Sequence, residues 1–259
     1  MDLGIAGRWA IVCASSRGLG FACAEALANE GVNVVINGRN EESLTSAVAD
    51  LIDRFDAEVI GVIADLDQEE GRQALVESCP EPDILITNNA GPSPAVFVDV
   101  TDEAWSTALT ANLLSPITMI QAVLPGMRER RFGRVISITS AMVKSPNALM
   151  TPSIAARSGL TGVMKAISRD VASDNVTVNC LLPERIDTGR QRQMAEIAVA
   201  VKGITLDEAY QEIAATIPAG RLGFPREVGD ACAYLCSVQA SYITGQNLCI
   251  DGGAYEGVF

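Results

Sequence analysis

No histidine occurs among the 259 residues. That absence excludes Ser-His-Asp and Cys-His triads, His-Glu-x-x-His metal sites and any histidine general base. Chemistry in this chain must come from hydroxyls, carboxylates, Lys, Arg, Asn or a borrowed cofactor. Cysteine is present but lacks a framework. The residues Cys13, Cys23, Cys79, Cys180, Cys232, Cys236 and Cys249 are odd in number and scattered through apolar segments. They have neither the pairing density of a secreted scaffold nor Cys-x-x-Cys zinc spacing, so reduced core thiols and no metal site are expected. No stretch approaches the roughly 20 uninterrupted apolar residues of a membrane span. Met1 to Arg8 shows no cationic stretch followed by an apolar run, and the expectation is a cytoplasmic protein with no membrane partner. Positive charge is in deficit: the net charge of −13 repels phosphate backbones and argues against a nucleic-acid partner.

Hydrophobic residues at 48% and charged residues at 20% place the chain among ordinary globular proteins. Its length suits one large domain, spanning 1–259, better than two. Short apolar, β-branched runs alternate with longer helical patterns, which is the signature of βαβ units around a parallel sheet. The strand candidates are Trp9–Cys13, Val32–Ile36, Glu58–Ile63, Ile84–Thr87, Arg134–Ile138, Val176–Leu181 and Asn247–Ile250. Helical periodicity covers Leu19–Asn29, Glu42–Phe55, Gln68–Ser78, Asp102–Arg128, Ile154–Ala172 and Arg226–Ser237. The pattern predicts an α/β fold, a Rossmann-type doubly wound seven-stranded parallel sheet in a three-layer α/β/α sandwich. The stretch 189–219 interrupts the rhythm with apolar spacing at Met194, Ile197, Val201, Leu206, Tyr210 and Ile213. It reads either as a helical substrate lid or as a plain pair of surface helices.

After the first strand comes Cys13-Ala14-Ser15-Ser16-Arg17-Gly18-Leu19-Gly20, and then a helix. Glycines here let backbone N–H groups approach a pyrophosphate, and the helix N-terminus offers partial positive charge. The second strand leads into Asn37-Gly38-Arg39-Asn40. An NAD-binding domain usually carries a carboxylate there for the ribose 2′-hydroxyl. Gly38 offers none, while Arg39 brings a guanidinium suited to a 2′-phosphate, and Arg17 can approach from the other side. NADP(H) is the expected cofactor, ahead of NAD(H). The alternative is an Arg39 that merely faces solvent.

These residues resemble the short-chain dehydrogenase/reductase family nearly from end to end. Asp65-Leu66 is similar to the pair that contacts adenine, and Asn88-Asn89-Ala90-Gly91 matches a family segment after the fourth strand. Asn112 resembles the catalytic asparagine. Pro183, Ile186 and Thr188 resemble the loop that holds the nicotinamide amide. Gly220-Arg221-Leu222-Gly223, Ile243-Thr244-Gly245-Gln246 and Asp251-Gly252-Gly253 are similar to the C-terminal signature. The resemblance implies hydride transfer between nicotinamide and a small carbonyl or alcohol, with 3-oxoacyl-carrier-protein reduction among the implied activities. It also implies a homotetramer or homodimer.

The active helix departs from the family. A serine ending the fifth strand should be followed 13 residues later by Tyr-x-x-x-Lys, in which tyrosine passes the proton and lysine lowers its pKa and binds ribose. Ser140 fits the serine, but Ser153 and Arg157 stand in the tyrosine and lysine slots. None of Tyr210, Tyr234, Tyr242 or Tyr255 reaches the slot by a reasonable gap. A phenol with a pKa near ~10 can be tuned by a neighbouring cation, whereas an alkyl hydroxyl is far weaker. Arg157, one turn on and on the same face, can donate to ribose hydroxyls but cannot shuttle protons. Glu184 follows Pro183 where the family has glycine. Lys144 replaces the missing donor, pairs with Glu184, or is solvated. Two functions stay open: an NADP(H)-dependent oxidoreductase with a non-standard site, or a catalytically impaired protein that holds NADP(H) as a structural or sensing ligand.

Overall fold

The computed structural model describes residues 1–258. Seven strands form one parallel sheet in the order β3-β2-β1-β4-β5-β6-β7. They are β1 (Trp9–Val12), β2 (Asn33–Gly38), β3 (Val59–Ile63), β4 (Pro82–Thr87), β5 (Gly133–Ile138), β6 (Val176–Pro183) and β7 (Asn247–Ile250). The expected parallel sheet is present with every strand in place. Burial on both faces explains the continuous apolar runs: β5 and β6 are buried at every position. Alternation divides the core between the faces. Ala10 and Val12 of β1 join one cluster, and Ile11 joins the other.

The helices α1 (Gly18–Asn29) and α2 (Glu41–Arg54) cover the first face with α9 (Pro225–Cys236). The second face is covered by α3 (Glu69–Glu77), α5 (Ser115–Glu129) and α6 (Thr151–Val171). Strand order reverses between β1 and β4, and such a switch point leaves a crevice at the carboxyl edge of a parallel sheet. Between β6 and β7 the chain forms α7 (Gly189–Lys202) and α8 (Leu206–Ala215). The latter starts with a capping box built on Thr205 and Glu208.

The expected long helix is divided. The single helix over Asp102–Arg128 is in fact α4 (Asp102–Leu109), a π-helical turn over Thr110–Leu114, and then α5, ending one residue later at Glu129. The wider turn carries Asn112, and helical periodicity does not register one inserted residue. This 28-residue segment, with mean hydropathy 1.3 in its best window, is also long and apolar enough to cross a bilayer by length and composition alone. Its apolar side instead packs on the sheet through Met119, Ile120, Val123 and Met127.

Candidate active site

The turn after β1 is braced from within. Ala14 stands at φ +46°, in the left-handed region. Its N–H donates to the Asn37 side-chain oxygen at 2.6 Å. Ser15 N–H donates to the Asn37 carbonyl at 2.8 Å. The Ser15 hydroxyl donates to Val12 O at 2.5 Å and accepts from Asn37 N–H at 3.0 Å. Both polar groups of Ser15 are therefore committed to the protein, and the amides left for a ligand are those of Ser16 to Gly20. Asn37 carried no sequence signal beyond its place at the strand end. It is nevertheless 2% exposed, and its amide nitrogen also donates to Ala64 O at 3.0 Å.

Close approach explains two glycines. A Cβ on Gly20 would lie 2.4 Å from Ala14 O, so only glycine lets α1 start this tightly against the turn. A Cβ on Gly38 would lie 2.9 Å from the Ser16 Cβ and Oγ, so Ser16 occupies the space a carboxylate side chain needs there. The N-terminus of α1 has no side-chain cap and no acidic residue in its first turn. By contrast, α2 begins with Glu41 and Glu42, and α3 with Glu69 and Glu70. The uncapped amides, exposed Arg17 and exposed Arg39 frame an end suited to anions. Arg39 is loosely held, with Nη1 3.8 Å from Asp65 on the surface, and such pairs contribute about 0–1 kcal/mol. These residues fit a 2′-phosphorylated dinucleotide.

The opposite wall is the loop after β4. Asn88 donates to Ala14 O at 3.2 Å, tying that loop to the turn. Asn89 donates to Asp67 Oδ1 at 2.9 Å and to Ala111 O at 3.2 Å, and its own oxygen accepts from Ala90 N–H at 2.8 Å. Asn112, 4% exposed in the π turn, donates to Ala90 O at 3.2 Å. Leu66 turns its side chain into the core, while its carbonyl accepts from Ser115 Oγ and Arg72 Nη1. A small pocket of about 10 Å³, near the lower limit for one water, lies between Asn88, Ala111, Asn112 and Arg157.

Ser140 follows β5 and opens a 3₁₀ turn, its Oγ accepting from Met142 N–H at 3.2 Å. Ser153 is buried in the first turn of α6, and Arg157 one turn on donates from Nη1 to the Ser153 hydroxyl. The Arg157 terminal nitrogens lie 3.5 Å from the position a Cβ would take on Gly91. Burial pushes the Arg157 pKa down to about 10, with the Arg190 charge adding to the effect.

The loop after β6 is held by the C-terminal motifs. Glu184 N–H donates to Ile250 O at 3.1 Å, Asp187 N–H to Gly223 O at 2.8 Å, and Ala219 N–H to Gly252 O at 3.0 Å. Ile186 is buried in the core, and Thr188 caps α7 by accepting from Gln191 N–H at 3.4 Å. Pro183 ends β6 opposite Ile250. Of the alternatives for Lys144, the pair with Glu184 is not formed among the described residues: Glu184 stands 3.7 Å from Arg185, and Lys144 lies over the Tyr255 ring at 5.1 Å. Nor is Lys144 freely solvated, being half-buried beside Cys249. Tyr255 therefore meets the lysine rather than the Ser153 slot, a contact between loop and C-terminal segment that no local pattern signals.

A crevice at the switch point, an amide-lined turn and an anion-suited helix end define a Rossmann-type dinucleotide-binding protein. The enoyl-(acyl carrier protein) reductase family profile matches residues 13–255. The NADPH-dependent reductase BacG of Bacillus subtilis is 33% identical, covering 97% of this chain and 99% of its own. Human dehydrogenase/reductase SDR family member 4 is 32% identical, covering 96% and 88%. The L-sorbose reductase of Gluconobacter frateurii, solved with NADPH and L-sorbose, superposes with a TM-score of 0.95 at 29% identity over all of both chains. The chain belongs to the short-chain dehydrogenase/reductase family.

Proposed function

We propose that the chain holds NADP(H) across the β1–β4 crevice and works there on a small carbonyl or alcohol. It is an NADP(H)-dependent oxidoreductase, similar to 3-oxoacyl-carrier-protein reductases as well as to BacG. The observation that carries the cofactor reading is the uncapped α1 terminus flanked by Arg17 and Arg39, with Ser16 filling the place of a 2′-hydroxyl-binding carboxylate. In this reading the amides of Ser16 to Gly20 hold the pyrophosphate, and Arg17 and Arg39 the 2′-phosphate. Asp65, Leu66, Asn89, Ala90 and Gly91 line the adenosine and ribose side, and Pro183, Ile186 and Thr188 the nicotinamide side.

The bound nicotinamide supplies or accepts the hydride. Ser140 orients the substrate oxygen: its lone pair takes Met142 N–H, which leaves its proton free to donate. Ser153 accepts from Arg157 and so directs its own proton away from the guanidinium. Arg157 keeps a positive charge beside the developing alkoxide, and Asn112 holds the Ala90 carbonyl. Lys144, tethered over Tyr255, borders the substrate side. The segment 189–219 acts as a lid, supported by its place between β6 and β7 and by the Thr188 cap on α7. Exposed small and apolar residues on the π turn, α5 and α6, including Leu114, Ala122, Ala155 and Gly159, support a homotetramer or homodimer. Free thiols support a cytoplasmic location.

NADPH consumption against quinones, diketones and simple ketones tests the activity. Activated carbonyls are expected to react first, because they need the least help from an acid. The buried Ser153 hydroxyl, already engaged by a cation, favours one second reading, a cofactor-binding protein without turnover. Tight NADPH binding with no oxidation across the panel would select it.

A further inference from the structure

Arg157 and Arg190 are cations without counter-ions in a strongly acidic chain. Among the described residues neither has a carboxylate within ion-pair distance, although 32 Asp and Glu are available. Arg157 Nε is buried with no hydrogen-bond partner. One terminal nitrogen meets the neutral Ser153 hydroxyl, and both lie against Gly91. Arg190, exposed at the start of α7, is drawn across the crevice to the same loop, donating from Nη2 to Pro92 O at 2.7 Å. Its charge is near enough to depress the Arg157 pKa. Two guanidiniums brought together without an anion destabilise the site by mutual repulsion and desolvation, and an external anion removes both costs.

A phosphate or a carboxylate has the required chemistry. The phosphates of the cofactor are already matched, the pyrophosphate by the α1 amides and the 2′-phosphate by Arg17 and Arg39. Arg157 lies instead beside Ser153, and the ribose hydroxyls to which it can also donate carry no charge to balance its own. We propose that the substrate is an oxo acid, or the corresponding hydroxy acid, whose carboxylate seats on Arg157 and Arg190 while Ser140 takes the reacting oxygen. A bidentate guanidinium–carboxylate pair then fixes the carbonyl against the hydride donor, a positioning role that relieves the need for a phenol. This rests on the oxidoreductase reading above.

The experiment first measures NADP+ and NADPH affinity, then titrates the NADP+ complex, in which no reduction can occur, with acetoacetate, pyruvate and their methyl esters. The acids are expected to bind at least ~10-fold more tightly than the esters. Arg190→Gln should abolish that preference while leaving NADPH affinity unchanged, and Arg157→Lys should keep only part of it. Equal binding of acid and ester, or no binding of any acid by a complex that holds NADP+, overturns the proposal alone. Loss of NADPH affinity in Arg190→Gln assigns the guanidinium to the cofactor and also overturns it. Absence of NADP+ and NADPH binding in the unaltered protein removes the oxidoreductase reading as well.

Discussion

Arg157 donates a hydrogen bond to Ser153, one helical turn away on α6, so the two side chains form a cation–hydroxyl unit beside the crevice. The unit has donors but no group that changes charge near neutrality. Arg157, with its pKa pushed down to about 10 by burial, stays cationic below that value. The chain has no histidine, and the buried thiols of Cys13 and Cys180 are pushed up to about 12. Carbonyl reduction should therefore show a flat kcat/KM from roughly pH 6 to 9, falling above about 10 as the guanidinium discharges. A bell with a limb near 7 in the pH profile would contradict this.

Ser140 has its lone pair on Met142 N–H and its proton unassigned. Ser140→Ala should lower kcat by ~100-fold, the usual effect of removing one donor to a developing oxyanion, with NADPH affinity unchanged. Steady-state kinetics alongside a cofactor titration separates the two effects.

Ala14 occupies a left-handed conformation at φ +46°, which costs a non-glycine residue about 1–2 kcal/mol. Part of that cost returns as chain entropy when glycine is introduced. Ala14→Gly should stabilise the protein by about 0.5–1 kcal/mol, read as a rise in thermal midpoint.

Ser15 carries two buried hydrogen bonds that fix the turn, to Val12 O and from Asn37 N–H. Ser15→Ala removes both of these bonds from the turn and should destabilise the fold by about 1–3 kcal/mol in denaturant unfolding. NADPH affinity should fall as well, because the amides of the turn lose their alignment.

The strands were legible because a parallel sheet buried on both faces demands unbroken apolar runs, and Val176–Leu181 shows one. β2 runs on to Gly38 because its ladder continues to Ile63, a partner outside any local window. The phosphate turn was legible from glycines placed between strand and helix. Its internal bracing by Asn37 was not, since a buried amide and a surface amide look alike in sequence. Gly38 was readable as a missing carboxylate, whereas the space taken by Ser16 shows only in three dimensions. The π turn at Asn112, the Lys144–Tyr255 contact and the reach of Arg190 to Pro92 depend on long-range packing, which periodicity does not record.

The central claim is that the α1 amides, Arg17 and Arg39 select a 2′-phosphorylated nicotinamide dinucleotide. Its most direct test is a fluorescence titration of nucleotide-free protein with NADPH and NADH, repeated on Arg39→Ala. NADPH is expected to bind at least ~10-fold more tightly than NADH, and the substitution should remove that advantage without weakening NADH, as loss of a charge-assisted contact requires. Equal affinity for the two coenzymes, or none for either, would contradict the account.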